Sequence, residues 1–567
     1  MQTLNRFCPL ILAFLGLFIA GCGGGGGGGT GDPPVVGDPP VVDVFPPPDP
    51  PHGMRAAFGD GSITVSWASL AGSSYRGFPV TTNVYISTSP NIDVRTFSES
   101  SSNRVMRGLN IMLPVVFRGV ANGAPLYIVA TDEANGVESR PSQEISVTPQ
   151  PVPALLENIL ALNDTGVDGC ADLLLRNLTC PIVSLPNQDA ERGRDAAARQ
   201  GQLVKSGFGP AGFDFTKLDE NGDPLPDDAT TWPCVRDNVT GLVWEAPSDS
   251  GLTAAQNSYS WYEPDPLRNG GDPGQPNGGA CAGSECDTHA FIQALNGAAH
   301  CGFQDWRLPT RRELFGLADF SRINPAIVAS AFPELPPSAF GFLWTSGTSS
   351  NTAAIGFHAW AMELSTGEIV SKPKTLFAPG DRPGYILAVR ADQPQSSSPV
   401  DSAAGLVNPA EATCLNRENT SVPQSTPTSR YTVFPDGTLA APSTGLMWKR
   451  CLEGQTLSGD VCESAPSTYT WADALGAAQA ASFAGHSDWR LPNPKELLTI
   501  FEDRCAAPAL NADLFPISGL VSAWTATPTA LLMQDVFDEP WLLTFDGVVT
   551  RTSKFQSIPV LLVRDLP

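Results

Sequence analysis

Positive charge and histidine are scarce in this sequence. Its 567 residues include 34 Lys and Arg against 58 Asp and Glu, five His, and no run of basic residues. Nucleic acid and other polyanions are therefore poor candidate partners, because binding them draws on clustered positive charge. A zinc or redox-dithiol site is also disfavoured, since no C-x-x-C pair occurs and histidine ligands are few.

Common catalytic signatures and long apolar runs are missing too. There is no G-x-S-x-G, P-loop or H-E-x-x-H, and the polyglycine match to G-x-G-x-x-G has no strand before it. We therefore expect no enzyme activity, cofactor or metal. No stretch of 18 apolar residues follows the N-terminal segment, so no membrane-spanning helix is expected there. Only 16% of the residues are charged, while 54 Gly and 53 Pro favour loop-rich domains that contain β-structure.

The N-terminus has the features of an export signal. Arg6 precedes a short apolar segment, and residues 19–22 read Ile-Ala-Gly-Cys, which matches a bacterial lipobox. We predict a signal peptide over 1–22, lipidation of Cys22 and a membrane partner reached through that lipid. An uncleaved membrane helix is the alternative, although 13 apolar residues are too few to span a bilayer comfortably. By resemblance to lipoprotein sorting rules, Gly23 favours the outer membrane.

The next residues predict a spacer and then a β-sandwich. Residues 23–51 are polyglycine followed by proline-rich sequence, which is typical of a linker. Residues 52–149 contain short alternating segments; in one of them Ile63, Val65 and Trp67 would share a face. This segment resembles a fibronectin type III domain, an all-β sandwich that acts as a spacer or binding module.

The remainder contains an internal repeat, with the same short motifs in the same order. TGLVWE, YSW, DWRLP, WTS and LAVR in the first copy return as TGLMWKR, YTW, DWRLP, WTA and LLVR in the second. The first copy carries an insertion, residues 265–287, whose Gly and Pro content indicates a surface loop. We expect the shared motif residues to be structural: Trp244, Asp305, Trp306, Arg307 and Trp344 in the first copy, and Trp448, Asp488, Trp489, Arg490 and Trp524 in the second.

Each DWRLP is expected to end an extended segment and lead into a helix. The next residue, Thr310 or Asn493, stands three before Glu313 or Glu496, which is the spacing of a capping box. The tryptophans should be buried, and the motif arginines should pair with acids, because a guanidinium is not buried alone. A catalytic interpretation would need a matched nucleophile or base, and no histidine is matched between the copies.

These motifs resemble the Lcl C-terminal domain family, which is named after a collagen-like adhesin. We predict a cysteine-containing flank at 155–234, a first Lcl-type domain at 235–392, a linker at 393–430 and a second domain at 431–566. The resemblance implies α+β domains, loosely similar to C-type lectins, and a role in adhesion with sulfated polysaccharide as a suggested ligand. Residues 431–567 carry 8 basic against 15 acidic residues, so a neutral glycan or a protein is the more compatible ligand.

The cysteine count agrees with export, since ten remain after Cys8 and Cys22 are set aside. Two local pairs would staple loops within the repeats and one would lie in the flank, while elimination leaves two longer pairs. The expected disulfides are Cys281–Cys286, Cys451–Cys462, Cys170–Cys180, Cys234–Cys301 and Cys414–Cys505.

One acidic segment invites a calcium interpretation. Residues 219–228 read DENGDPLPDD, but the glycine, Gly222, stands at the fourth position of an EF-hand loop instead of the sixth, and Thr230 stands at the twelfth instead of Glu, so an acidic turn is favoured.

The sequence therefore predicts a surface-tethered lipoprotein with a non-enzymatic binding role. Loop aromatics such as Tyr262 could stack on sugars. A structural protein of the cell envelope is one alternative. Another is a remote oxidase with a C-type-lectin-like fold, related to the formylglycine-generating enzymes, which would need a reactive cysteine pair. The ligand, its site and the oligomeric state are not predicted.

Overall fold

The computed structural model describes residues 45–59, 62–68, 73–109, 115–149, 162–335, 341–350, 357–375, 383–391, 412–519, 522–529 and 539–566. The predicted signal peptide, Cys22 and residues 23–44 of the linker lie outside these ranges, as do residues 392–411. The predicted domain boundaries stay predictions. The regular secondary structure of the described residues is mainly β-strand, with a few short helices.

The N-terminal domain is built from two antiparallel sheets. Alternation along the second strand places Ile63, Val65 and Trp67 in a core that the other sheet completes with Val84 and Ile86. One sheet has the order β1-β2-β6, and the other has β3-β4-β7-β8 with β5 paired to β4 and β9 to β7. The strands are β1 His52–Gly59, β2 Ser62–Ala68, β3 Ser74–Tyr75, β4 Phe78–Ser87, β5 Asn103–Leu109, β6 Val115–Arg118, β7 Leu126–Ala134, β8 Val137–Glu138 and β9 Ile145–Val147.

The flank and first repeat combine eight strands with three short α-helices in the described part of the chain. The strands are β10 Phe215–Leu218, β11 Cys234–Asp237, β12 Leu242–Glu245, β13 Phe342–Thr348, β14 His358–Glu363, β15 Ile369–Pro373, β16 Gly384–Tyr385 and β17 Val389–Ala391. The helices are α1 Gly193–Arg199, α2 Thr288–Gly297 and α3 Arg311–Gly316, with 3-10 turns at Asp189–Glu191 and His300–Gly302.

The second repeat returns to the same plan with further short strands. Its strands are β18 Arg417–Glu418, β19 Thr432–Val433, β20 Thr438–Ala441, β21 Leu446–Lys449, β22 Thr456–Ser458, β23 Val461–Glu463, β24 Thr468–Tyr469, β25 Cys505–Ala506, β26 Ser522–Trp524, β27 Trp541–Thr544, β28 Val549–Arg551, β29 Ile558–Pro559 and β30 Val563–Asp565. Its helices are α4 Trp471–Ala480 and α5 Pro494–Leu498, with a 3-10 turn at Thr428–Arg430.

Each sequence repeat forms a four-stranded sheet, and the two sheets are equivalent. Strands β10-β11-β12-β17 form one and β19-β20-β21-β30 form the other, so each TGL strand pairs with the closing VR strand of its own repeat. Arg307 then bridges to Val389, and Arg490 bridges to Val563, which fixes each DWRLP segment beside that last strand. The internal repeat in sequence is therefore a repeat in topology.

A single seven-stranded sheet runs through both repeats. Its order is β16-β13-β14-β15-β28-β27-β26, and the junction is the antiparallel pair Ile369 and Val549. Both residues are fully buried, in a hydrophobic core to which α3 contributes Leu314 and α5 contributes Leu497. The two repeats therefore share one core.

Each flank also contacts the opposite repeat. The first flank means residues 162–195 here, and the second flank means residues 412–430. Lys495 of α5 donates from Nζ to the carbonyl oxygen of Asp164 in the first flank at 2.7 Å. Arg312 occupies the same helix position in α3 and donates to the carbonyl oxygen of Ser425 in the second flank at 3.1 Å. The second residue of each of these two helices is therefore a cation that binds the flank of the other repeat.

The insertion of the first repeat is only partly a surface loop. The carbonyl oxygens of Asn269 and Asp272 both accept from Lys374 Nζ, which is buried. The carbonyl oxygen of Gly270 accepts from Asn419 Nδ2 of the second flank at 2.9 Å. Composition predicts the loop, but its central residues pack at the contact between the repeats.

Candidate functional site

The DWRLP arginine of the first repeat holds the start of α3. Arg307 donates two parallel hydrogen bonds to the Glu313 carboxylate, at 2.8 and 2.6 Å. Glu313 also accepts from the Thr310 amide, and the Thr310 hydroxyl accepts in return from the Glu313 amide, which is the predicted capping box. Burial alone would raise the pKa of Glu313, but the Arg307 charge and these hydrogen bonds outweigh it and hold the pKa below its usual range.

The second repeat reproduces this arrangement with greater burial. Arg490 donates to Glu496 at 2.7 and 2.8 Å, and to Asp565 at 2.6 Å. Asn493 supplies the cap for α5 as predicted. Only 8% of the Arg490 side chain is exposed, against 42% for Arg307. Burial opposes the charge of Arg490, but the two carboxylates raise its pKa above the ordinary value.

The aspartates of the two DWRLP motifs bind the arginines that close the repeats. Arg390 contacts Asp305 at 2.7 and 3.3 Å, and Arg564 contacts Asp488 at 2.8 and 3.1 Å. Hydrogen bonding from Arg564 lowers the pKa of Asp488. All four charged groups form ion pairs within the framework, which agrees with an architectural role for the motif.

The motif tryptophans are core residues. Their exposed fractions are 2% or less, and in both repeats the ring of the WT tryptophan donates to the carbonyl of the Y-x-W tyrosine. Trp344 donates to Tyr259 and Trp524 donates to Tyr469, both at 2.8 Å. The buried set is Trp244, Trp306, Trp344, Trp448, Trp489 and Trp524.

Five disulfides match the predicted pairs. They are Cys170–Cys180, Cys234–Cys301, Cys281–Cys286, Cys414–Cys505 and Cys451–Cys462. None of these bonds joins one repeat to the other. The connection between the repeats in the described residues is therefore made by packing, hydrogen bonds and ion pairs.

Two other features considered from the sequence have structural explanations. Cys234, His300 and Cys301 lie close enough to share a metal ion, but both sulfur atoms belong to one disulfide. The carboxylate of Asp219 accepts from the amides of Asn221 and Asp223, at 2.8 and 2.9 Å, so residues 219–223 form the favoured acidic turn.

Tyr262 is only partly exposed. Its ring packs edge-on against His289 with centroids 6.1 Å apart. Its backbone forms an isolated bridge with Gly274 in the insertion. These contacts leave it less open for stacking on a sugar than the sequence suggests.

A cavity of about 380 Å³ lies between the first flank and the second repeat. The flank supplies Leu162, Asn163, Asp164, Asn187, Asp189, Arg192, Gly193 and Arg194, while the second repeat supplies Thr444, Gly445, Leu446, Arg490, Leu491, Asn493, Glu496, Ala526 and Asp565. Its volume lies within the range of small-molecule sites, roughly 300–1,000 Å³. This cavity is the candidate functional site. It exists only where the first flank contacts the second repeat, because both segments supply its lining residues.

Hydrogen bonds between the first flank and the second repeat position Asp189, which lines the cavity. The amide of Asp189 donates to the Ala526 carbonyl at 3.1 Å, and its Oδ2 accepts from the Thr527 hydroxyl at 2.7 Å. Gly193 has φ of +69°, and a side chain there would collide with the Asp164 carboxylate. A glycine at that position therefore lets the flank turn tightly beside the cavity.

Three flank carboxyl groups lie close together here: Asp164 and Asp189 line the cavity, and Asp195 shares the Thr165 hydroxyl with Asp189. Burial raises the pKa of Asp189 to about 7, and the nearby charge of Asp164 adds to the effect. Burial also raises the pKa of Asp195 to about 8, assisted by the charges of Asp164 and Asp189. Burial lowers the pKa of Lys495 to about 8, although the surrounding carboxylates oppose that change. The cavity lining and the residues packed against it therefore include groups whose protonation changes near neutral pH.

The sequence profile of the Lcl C-terminal domain family matches residues 233–389 and 437–564, which together make up half of the chain. The chain belongs to the Lcl C-terminal domain family. The matched segments are the two repeats, which are called Lcl repeats from here on. No curated protein matches the chain.

Similar solved structures are of fibronectin type III type. A Fn3-like protein from Clostridium thermocellum is 23% identical, over 18% of this chain and 94% of that chain, with a TM-score of 0.14. The fibronectin type-III domain of human fibronectin type III domain containing protein 3 is 11% identical, over 19% of this chain and 93% of that chain, with a TM-score of 0.15. These matches cover less than a fifth of the chain.

The cavity beside the second Lcl repeat was not predicted from the sequence. Residues 163–166 and 186–195 lie within the predicted cysteine-containing flank, but no residue in these two segments was assigned a role. Lys495 reads from the sequence as an ordinary exposed helix residue. Its burial follows from contact with a flank more than 300 positions away, and no local signal reveals that contact.

Proposed function

We propose that this protein is a lipid-anchored protein of the cell envelope that binds a glycan without enzymatic activity. The observation that carries the proposal is the 380 Å³ cavity between the first flank and the second Lcl repeat, whose lining includes several polar and charged side chains. Its wall combines carboxylates, amides and guanidinium groups, which are suited to binding several hydroxyl groups at once. The glycan would carry no sulfate, because the second repeat has a net negative charge.

The disulfides support the exported location. Ten cysteines between Cys170 and Cys505 form five bonds, as expected in an oxidising compartment. Within the described ranges, no helix has the length and apolar character needed to cross a bilayer. The lipid on Cys22 would then tether the protein, with the outer membrane as the proposed location.

The same disulfides weigh against an oxidase-like enzyme. Such an enzyme would need a reactive cysteine pair, and the cysteines of both Lcl repeats and the first flank are bonded to one another. For the fold, we propose two α+β units, loosely similar to C-type lectins. In support, each repeat places short capped helices against small antiparallel sheets.

A protein ligand is the second candidate, supported by an exposed apolar patch. Leu174, Leu175 and Phe555 are 85%, 59% and 62% exposed. Lys554 donates to the Asp172 carbonyl at 2.7 Å, which brings Phe555 near the loop closed by Cys170 and Cys180. Exposed apolar side chains that cluster in this way are typical of protein contact sites.

A glycan array probed with the full chain, disulfides intact, tests the proposal. We expect saturable binding to non-sulfated glycans that persists at physiological salt, since screening weakens only exposed charge attraction. Asn493→Lys would place a long cation at the cavity and should remove the binding. Asp305→Asn, at the exposed aspartate of the first repeat, is the control and should leave it unchanged. Binding only to sulfated glycans, or to none, would contradict the proposal.

A further inference from the structure

The inner wall of the cavity is rich in buried acceptors whose partners are neutral. The carboxylate of Asp164 accepts from the amides of Thr165 and Asp195, at 3.0 and 2.9 Å. Asp189 accepts from the hydroxyls of Thr165 and Thr527, at 2.6 and 2.7 Å. Neutral donors orient these carboxyl groups but supply no positive charge to balance them when they are ionised.

A third acceptor on the same wall has no partner. Asn163 lines the cavity and is 2% exposed. Its Nδ2 donates to Asp237 Oδ2 at 2.5 Å, whereas its Oδ1 has no hydrogen-bond partner in the described part of the chain. A buried acceptor of this kind is costly unless a ligand or water satisfies it.

The cationic side chains near the cavity form their hydrogen bonds with groups other than the Asp164 and Asp189 carboxylates. Arg490 is bound by Glu496 and Asp565, and Lys495 donates to the backbone carbonyls of Asp164 and Gly316. Arg192 is exposed at the rim and donates to the Asn187 side chain at 3.0 Å. Among the described residues, no cationic side chain forms an ion pair with Asp164 or Asp189.

We propose that the glycan bound here carries a primary ammonium group, as in a 2-amino sugar, and that this group binds at Asp164, Asp189 and Asn163. The inference rests on the proposed function and makes its ligand class specific. An ammonium group has three N–H donors, which matches the three acceptors on the wall. Its positive charge would balance the two carboxylates, which a neutral hydroxyl group cannot do.

Calorimetric titration of the full chain with glucosamine, glucose and N-acetylglucosamine tests this. The three sugars differ at one position, which bears an ammonium, a hydroxyl or an acetamide group. We expect glucosamine to bind at least about tenfold more tightly than the other two, because hydrogen bonds to charged groups are stronger than neutral ones. Asp189→Asn should remove most of that preference. Asp265→Asn, in the insertion of the first repeat, is the matched control and should retain it.

A second variant covers the case in which Asp189→Asn does not fold. Arg192→Gln removes an exposed rim cation and should raise glucosamine affinity severalfold while leaving glucose affinity unchanged. Equal affinity for glucose and glucosamine would overturn the amine inference and leave glycan binding intact. A glucosamine affinity that is the same in both variants as in the unmodified protein would also overturn the amine inference. Binding of none of the three sugars, together with a blank glycan array, would contradict the proposed function as well.

Discussion

Lys495 Nζ lies 2.7 Å from the carbonyl oxygen of Asp164, so a helix of the second Lcl repeat binds the segment that precedes the first. The same ammonium donates to the Gly316 carbonyl at 2.8 Å and lies 4.8 Å from the centre of the Phe213 ring. One buried side chain therefore joins the first flank, the end of α3 and the second repeat. The candidate site depends on this junction because Asp164 is part of its wall.

Replacing Lys495 should weaken the junction. Lys495→Met keeps the length of the side chain but leaves two backbone acceptors without their donor, which we expect to lower the free energy of unfolding by about 2 kcal/mol. Urea unfolding of the full chain measures the change. Arg268→Met alters a side chain that is 70% exposed and should have little effect. Equal stability of the two variants would show that Lys495 does not hold the junction.

The buried carboxyl groups should make stability depend on pH. Asp189 has a folded pKa of about 7, raised by burial and by Asp164, against an ordinary value of 3.8. Between these values the folded state binds more protons than the unfolded state, so stability should fall as pH rises from 4 to 7. Asp189→Asn should make that decline smaller.

Thermal unfolding of both proteins at pH 5 and pH 7 measures this difference. The charged groups that act on Asp189 are Asp164 and Asp195 from the flank and Glu496 from the second repeat, and all three are retained in the variant. The pKa of Lys495 is about 8, so most of its titration lies above this window. An unchanged dependence on pH would mean that Asp189 does not titrate there.

Equivalent arginines in the two Lcl repeats should differ in their contribution. Arg490 is 8% exposed and contacts Glu496 and Asp565, whereas Arg307, which contacts Glu313, is 42% exposed. Breaking a buried pair leaves an uncompensated buried charge, so Arg490→Met should cost about 3 kcal/mol. Arg307→Met should cost less, about 1 kcal/mol, because solvent partly screens the more exposed Arg307 guanidinium. Chemical denaturation compares the two, and a larger cost at Arg307 would contradict the account.

A disulfide that closes a longer loop should stabilise the protein more, with a logarithmic dependence on loop length. Cys414–Cys505 spans 91 positions and Cys281–Cys286 spans five. The chain-entropy argument gives about 4–5 kcal/mol for the long loop and about 2 kcal/mol for the short one. Paired Cys→Ala variants should therefore differ clearly in melting temperature. Similar losses for both would point to strain or residual structure rather than loop entropy.

Features set by short-range patterns were predictable from the sequence. Thr310 with Glu313, and Asn493 with Glu496, predict the caps because both partners lie within one helical turn. The duplicated order of motifs predicts equivalent roles for Trp344 and Trp524, and cysteine spacing and number suffice for the disulfides. These inferences need no knowledge of how the two repeats are arranged.

The connection between the repeats was not predictable in this way. Ile369 and Val549 pair across 180 positions, and nothing in either strand indicates that its edge continues into the other repeat. The cavity has the same origin, because Asp189 and Asn493 come together only when the flank contacts the opposite repeat. Composition could indicate only that the ligand is not a polyanion.

Cleavage between the two Lcl repeats tests the central claim most directly. A protease site inserted between residues 392 and 411 of the full chain allows the purified protein to be cut there. No disulfide joins the two halves in the described residues, so only non-covalent contacts would hold them together. The two repeats share one sheet and one core, and each flank contacts the opposite repeat. We therefore predict that the cut halves elute together in size-exclusion chromatography under non-denaturing conditions. Halves that separate and remain folded would show that the repeats are independent domains and that the cavity between them is not an intrinsic site.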